Sequence, residues 1–313
     1  MRLTLALIVA EISRPGYCNS DCTLLLQSTP GTRQLQLSQH GHVGPTRIPC
    51  VIHQTWNTHQ LSYHQAEVAT TWKLKNPKCE YKLWNDTEGA ELCRQKSPDL
   101  IWPIWEALSP VQRADIFRYL VLWDQGGYYA DIDCRCTKPI AEFPVPKDAS
   151  MIVGYEAAHR LGEKERKSVQ FARVEQFENW FFASAPGNPV LLRAFEIVRE
   201  KFLWKVQDTV DFTGPGSFSD AVHEFLASDA EGQEMTPGVK KEVSYKTDHK
   251  HDDHNDQHFR NLTFPSESEY RAGNWNLWLL AAGRTAVPGG YAADDPSNPV
   301  EAIVRHEFAG TWK

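Results

Sequence analysis

A chain of 313 residues is long enough to bury a large core, as one big α/β domain or two unequal ones. A hydrophobic share of 41% with 11% aromatics excludes a disordered chain. The formal net charge of −7 excludes a general nucleic-acid binder and means that an anionic ligand would need a metal or a local basic group. Eleven tryptophans suit sugar or base pockets, though core filling is their commoner use. The seven cysteines (Cys18, Cys22, Cys50, Cys79, Cys93, Cys134 and Cys136) show no recurring zinc spacing. In a secretory chain one or two disulfides are expected, with Cys79–Cys93 a weak candidate, and nothing pairs Cys134 or Cys136.

Met1-Arg2 and the apolar run Leu3 to Ala10 are too short to span a bilayer, which takes about 20 residues. The run resembles an abbreviated signal peptide, although an incomplete gene model would look the same. Two sequons, Asn85-Asp86-Thr87 and Asn261-Leu262-Thr263, fit a secretory chain. Residues 1–46 are polar and irregular and are expected to be a targeting segment and stem. Residues 47–313 are expected to be one folded domain. No later segment is long and apolar enough to be a membrane anchor.

The domain opens with Val51 to Trp56 as a buried strand. Ala66 to Lys75 follows as a helix that stops at Asn76-Pro77, and Tyr81 to Trp84 is a second strand. Asp86 can cap the next helix, and Ser97 to Leu108 is expected to be helical too. Ser109-Pro110-x-Gln112 then forms a capping box ahead of a helix whose apolar residues recur at three-and-four spacing. Gly126-Gly127 stops that helix, and Tyr128 to Asp131 suits a strand. If the chain stays extended, Asp131 and Asp133 point to one side. Two such carboxylates repel each other unless a hard cation lies between them. Beyond them, Met151 to Tyr155 reads as a strand. Val174 to Ala185 and Pro189 to Trp204 read as helices, and Ser217 or Ser219 as the cap of a helix reaching Leu226. Alternating strands and helices give an α/β fold with a mostly parallel central sheet.

An Asp-x-Asp triplet occurs about once by chance in a chain of this length. Its setting is more specific, at the end of an apolar strand where a parallel sheet presents ligands. Asp115 and Arg118 share one helix face, which by itself is commonly a surface ion pair. Together, Ala114-Asp115-x-x-Arg118-Tyr119 and Gly126-Gly127-x-Tyr129-x-Asp131-x-Asp133 resemble the DxD-containing glycosyltransferases of family 32, within it the fungal initiation-specific α-1,6-mannosyltransferases. The likeness runs over most of residues 48–313. It takes in Ile48-Pro49, His53-Gln54-Thr55-Trp56, Val153-Gly154-Tyr155-Glu156, Gln176-Phe177-Glu178-Asn179-Trp180, Pro186-Gly187-Asn188-Pro189, Thr213-Gly214-Pro215-Gly216 and the ending from His306 to Lys313.

The resemblance implies a GT-A fold, a Rossmann-like nucleotide-binding sandwich, and a retaining transfer from a nucleotide sugar. GDP-mannose is the favoured donor and a glycan or glycoprotein the acceptor. It implies a divalent cation, Mn²⁺ with Mg²⁺ as the alternative, held by Asp131, Asp133 and His306. Asp115 and Arg118 would grip the donor sugar, making these two and the DxD pair the catalytic set. Trp56 would lie against the base, with core packing the equal alternative. Tyr129, Glu156, Gln176, Glu178 and Lys313 complete the expected substrate-binding set, with Lys313 adding charge for the phosphates. The residues do not choose between a carboxylate nucleophile and a front-face path. The cluster from His249 to His258 could bind metal but reads as a solvated loop. Other readings are a UDP-sugar donor, a sphingolipid acceptor, or a silent sugar-binding relative. Lipid-type members carry C-terminal membrane helices, which favours a glycan acceptor here. The secretory pathway, Golgi lumen or secreted, is the expected location.

Overall fold

The computed structural model describes residues 47–97, 99–156, 171–173, 175–230, 268–272, 275–280, 285–286 and 302–307. The expected stem at 1–46, the histidine-rich segment at 249–258, the sequon at Asn261 and the terminal Lys313 lie outside them.

The order of elements begins β1 (Val51–Thr55), α1 (Tyr63–Lys75), β2 (Glu80–Trp84), α2 (Asp86–Lys96), α3 (Pro110–Gln125) and β3 (Gly127–Ala130). It continues with β4 (Cys134–Cys136), β5 (Met151–Glu156), β6 (Gln176–Ser184), α4 (Pro189–Leu203), α5 (Thr209–Phe212) and α6 (Pro215–Ala230). Strands β7 (Ser268–Ala272), β8 (Trp275–Leu280), β9 (Thr285–Ala286) and β10 (Val304–His306) complete it. Seven strands form a sheet in the order β2-β1-β3-β6-β5-β8-β7, and β4-β10-β9 form a small second one. In the large sheet β6 and β7 run against the other strands, so the expected α/β class with a mostly parallel sheet is what forms.

The sheet separates two cores. One gathers Phe117, Tyr119, Leu120, Phe182, Phe195, Phe218 and their neighbours from α2, α3, α4 and α6. The other gathers Trp72 of α1 with Ile52, Cys134, Phe181, Leu280 and Val304. Helices therefore cover both faces, as a sheet buried on both sides requires.

Local chemistry explains most boundaries. The Ser62 and Ser109 side chains accept from Gln65 N and Gln112 N, and both glutamines bond back in complete capping boxes. The cap of α2 is Asn85, one residue before the expected Asp86. Gly126 (φ +65°) ends α3 and Gly127 (φ +109°) begins β3, so both lie in the left-handed region. A Cβ on Gly127 would come within 2.4 Å of the Val51 carbonyl oxygen, so strand β3 can enter beside β1 only through glycine.

Several expectations are corrected. Gln176–Ser184 is a strand, not part of a helix; it pairs antiparallel with β3 on one side and β5 on the other, and all nine of its residues are buried with core on both faces. Among the described residues from Ser97 to Leu108, only Trp102–Ala107 is helical, as a 3-10 turn containing Pro103. Helix α6 starts at Pro215, so Ser217 and Ser219 lie inside it. Ser217 Oγ donates to the Phe212 carbonyl at 2.6 Å, and Ser219 Oγ accepts from Phe177 N at 2.8 Å. A disulfide joins Cys50 to Cys79, tying the entries to β1 and β2, and Cys93 is free on the buried face of α2. Spacing alone could not reveal that parallel pairing puts those two strand starts side by side.

Candidate active site

The chain order β1-α1-β2 moves outward in the sheet, and the return to β3 crosses to the other side of β1. Such a reversal opens a crevice at the carboxyl ends of the strands. Trp56 leaves β1 at that edge and Asp131 leaves β3 there. Trp56 is partly buried, its backbone N–H donating to the Trp84 carbonyl at 3.0 Å.

Asp131 and Asp133 do not stand on an extended strand. The N–H of Cys134 donates to the Asp131 carbonyl at 2.9 Å, so residues 131–134 form a turn. Gln54 Nε2 donates to the same carbonyl at 2.9 Å and accepts through Oε1 from the Tyr81 hydroxyl at 2.8 Å. Both lone pairs of that oxygen are thus engaged, which fixes the turn. The two carboxylates meet around His306: Nε2 lies 4.0 Å from Asp131 Oδ2 and 3.5 Å from Asp133 Oδ1. His306 arrives through the small sheet, where it pairs with Cys134 across β10 and β4, and Glu307 N donates to the Asp133 carbonyl at 3.0 Å. The Trp180 ring packs edge-on against its imidazole at 5.0 Å.

One helix earlier, α3 supplies Asp115 and Arg118. Neither is a surface residue; their exposures are 6% and 4%. Arg118 Nη2 lies 3.3 Å from Asp115 Oδ1 and 3.3 Å from Asp131 Oδ1, and Nη1 donates to the Asn179 carbonyl at 2.8 Å. The Thr213 hydroxyl donates to Asp115 Oδ2 at 2.8 Å, and Asn179 Nδ2 donates to Oδ1 at 3.2 Å. Arg118 is therefore the bridge between the helix carboxylate and the turn carboxylate. Burial pushes the Asp115 and Asp131 carboxyls up, against the pull of Arg118 on both. Burial also pushes His306 below the ordinary imidazole value, against the pull of Asp133 and Asp131.

Tyr129 is fully buried beneath the Arg118 guanidinium, and its hydroxyl donates to Asp131 Oδ1 at 2.8 Å. It holds the carboxylate and has no surface to offer a ligand. Glu156 ends β5, where Gln176 Nε2 donates to it at 2.5 Å, and burial pushes its carboxyl up to about 7. Gln176 Oε1 accepts from the backbone N–H groups of Ala172 and Arg173, so its side chain anchors that segment. Glu178 is fully buried, and its charge joins those of Asp131 and Asp133 around the Cys134 thiol. Burial, followed by those three carboxylates, holds that thiol well above its ordinary value.

Reading the sequence alone misses what β6 contributes. Its register against β5 jumps between Val153↔Phe182 and Tyr155↔Phe177, so residues 178–181 bulge. That irregularity sends Asn179 to Asp115 and Tyr119, and Trp180 to His306. The one available signal is the polar pair Glu178-Asn179 inside an aromatic run. Cys134 is the other omission, lying with Asp133 and His306 in a group whose ligating atoms are all within 4.8 Å of one another. The oxygen and nitrogen donors of Asp131, Asp133 and His306 suit a divalent cation, and the surplus of buried carboxylates over Arg118 gives it an electrostatic reason to bind.

Residues 62–152 match the family model described as a glycosyltransferase sugar-binding region containing a DXD motif. At the level of individual proteins, it is similar to the initiation-specific alpha-1,6-mannosyltransferase of Schizosaccharomyces pombe, 26% identical over 280 residues that cover 82% of this chain and 63% of that protein. Over 103 residues it is 32% identical to the mannosyl phosphorylinositol ceramide synthase SUR1 of Saccharomyces cerevisiae, covering 32% of this chain and 27% of that one. Among solved structures it is similar to the PaToxG glycosyltransferase, with 18% identity and a TM-score of 0.42 over 59% of this chain and 73% of that one. The chain thus spans less than two thirds of the length of either curated relative. Among the described residues, no helix is long and apolar enough to cross a membrane.

Proposed function

We propose that residues 47–313 are a GT-A-type glycosyltransferase domain that moves mannose from GDP-mannose to a glycan or glycoprotein acceptor, with retention and in α-1,6 linkage. The observation that carries this reading is the meeting of Asp131, Asp133 and His306 beside Arg118 at the carboxyl edge of the sheet. The mannosyl relatives support the sugar. The match to the alpha-1,6-mannosyltransferase covers most of the chain and the match to the ceramide synthase only about a third of it, which supports a non-lipid acceptor.

Asp131 through Oδ2, Asp133 through Oδ1 and His306 through Nε2 are placed to hold a divalent cation, Mn²⁺ or Mg²⁺. Such a cation, when bound, neutralises the charge that develops on the diphosphate as the bond to the sugar breaks. Arg118 keeps Asp131 Oδ1 engaged, so that Oδ2 is the oxygen left facing His306. Asp115 accepts from Thr213, Asn179 and Arg118, leaving one of about four lone-pair positions for a sugar hydroxyl. Trp56, at the mouth of the same crevice, offers its ring to the base. Glu156 faces the acceptor side and Gln176 holds it there, Glu178, fully buried, offers a ligand no more surface than Tyr129 does, and Lys313 would meet the phosphates. The Cys50–Cys79 bond suits an oxidising compartment, in keeping with the secretory pathway and the Golgi lumen.

The test is donor hydrolysis by the purified chain with GDP-mannose, UDP-galactose, UDP-glucose and UDP-N-acetylglucosamine, with and without Mn²⁺. Turnover of GDP-mannose that needs the metal is expected. Turnover without metal, or of none of the four donors, would overturn the reading.

A further inference from the structure

The turn that carries Asp131 and Asp133 runs straight into Cys134, the first residue of β4, and antiparallel pairing sets Cys134 opposite His306. The ligating atoms of Asp133, Cys134 and His306 lie within 4.8 Å of one another, and all three residues are buried. A sulfur therefore stands beside the oxygen and nitrogen donors assigned to the cation above. Its present contact is weak, a long S–H donation to the Trp180 carbonyl at 3.7 Å. Around one ion, bonds of about 2.3 Å to sulfur and 2.0–2.1 Å to nitrogen or oxygen bring ligand atoms nearer than 4.8 Å, so small side-chain rotations would close the set. Hard ions such as Mn²⁺ and Mg²⁺ prefer oxygen and leave a thiol aside. Borderline and soft ions select mixed nitrogen, oxygen and sulfur sets.

We propose that Asp133, Cys134 and His306 form a thiol-containing cation site that takes an ion of the Zn²⁺ class. On binding, a metal–sulfur bond forms, the S–H bond of Cys134 breaks, and one proton passes to solvent for each ion bound. No electrons are transferred. Because Asp133 and His306 serve both sites, a Zn²⁺-class ion excludes the hard ion; that competition rests on the transferase reading, whereas the ligand set does not.

The experiment uses the full chain, stripped of metal by a chelator and titrated with Co²⁺ as a spectroscopic probe. A thiolate-to-Co²⁺ charge-transfer band in the near ultraviolet is expected. It should vanish in Cys134→Ser, survive in Cys93→Ser and Cys136→Ser, and be displaced by Zn²⁺. A wild-type chain without the band, or a Cys134→Ser chain that keeps it, overturns the proposal. X-ray absorption of the Zn²⁺-loaded wild-type chain needs no variant: a sulfur neighbour at about 2.3 Å supports the site, and a shell of oxygen and nitrogen alone overturns it. Donor turnover is read separately, and Zn²⁺ at the concentration that displaces Co²⁺ should stop Mn²⁺-supported turnover. If no donor turns over while the band and the sulfur neighbour remain, the transferase reading falls and the site stands. If turnover is normal and the band is missing, the site falls alone.

Discussion

Two buried charge clusters in this chain are built on opposite principles. Among α4, α5 and α6, Lys201 and Arg173 face Asp211 and Asp220. Lys201 Nζ bonds Asp211 at 2.8 Å and Asp220 at 2.9 Å, and Arg173 grips Asp220 with two bonds of 2.6 Å. Two cations meet two carboxylates, and burial, which would raise both acids, is overcome by Lys201 and Arg173, so that both stay below the ordinary range. At the crevice, Asp115 and Asp131 lie against Arg118, Glu156 feels its charge, and the charges of Asp133 and Glu178 gather close by, with a histidine that burial pushes toward neutrality. There burial raises Asp115, Asp131 and Glu156. A balanced cluster stabilises a fold by itself. An acid-rich one is a binding site for the charge the chain does not supply.

The strongest way to break that contrast is to take a carboxylate from each cluster or its partner. Asp133→Ala removes a donor from the acid-rich side without touching the Asp133 carbonyl that Glu307 uses. Donor turnover should fall by about a thousandfold or more, since metal stabilisation of developing charge is worth several kcal/mol. The circular dichroism spectrum should be unchanged, and turnover close to wild type would remove the cation from the mechanism. Arg173→Met does the reverse. It strands Asp211 and Asp220 beside Lys201 alone, and breaking a buried pair costs about 3–5 kcal/mol, read as a lower denaturant midpoint. Turnover per folded molecule should hold; a loss of turnover out of proportion to unfolding would mean that this cluster shapes the site.

A smaller effect sharpens the comparison further. If the crevice binds a divalent ion, Mn²⁺ at a hundred times its dissociation constant should stabilise the chain by about 2.7 kcal/mol. Thermal unfolding with and without Mn²⁺ reads this directly. The shift should vanish in Asp133→Ala and persist in Arg173→Met. A shift that survives in Asp133→Ala would place the stabilising ion elsewhere.

The two clusters were unequally legible in the sequence. Local signals found the stretch that builds the crevice, because a capping box, a glycine stop and a strand announce themselves within a few residues: Ser109, Gln112, Gly126 and Gly127 all do what short-range chemistry predicts. The identity of its charged residues followed from their resemblance to a known pattern. Their packing did not follow. Spacing alone would make Asp115 and Arg118 a surface pair, because i, i+3 spacing says nothing of what covers the face, and they are covered by Asn179 and Thr213 from far along the chain. Strand β6 was hidden because a run buried on both faces has no alternation to read. The balanced cluster was invisible altogether. Arg173, Lys201, Asp211 and Asp220 sit on four separate segments, and only tertiary packing brings them together.

The least disruptive probe is pH, because the two clusters bend stability in opposite directions. Asp211 and Asp220 titrate below their unfolded value of 3.8, so their contribution is complete above that value and is lost as pH falls through the folded one. Glu156 keeps its proton to about 7 in the folded chain, whereas unfolded it releases it near 4.5. Between those values the native state binds more protons than the unfolded state, so stability declines as pH rises and levels off above about 7. Denaturant midpoints measured without divalent ions, from pH 8 down through the acid side below 3.8, should show that decline. Glu156→Gln should flatten it in part, because Asp115 and Asp131 are raised in the same sense. Asp220→Asn should leave the decline in place and weaken the loss on the acid side. A Glu156→Gln chain with the full decline would show that the carboxyl at the end of β5 is as well solvated as a surface group, and the acid-rich cluster would then be Asp115, Asp131, Asp133 and Glu178.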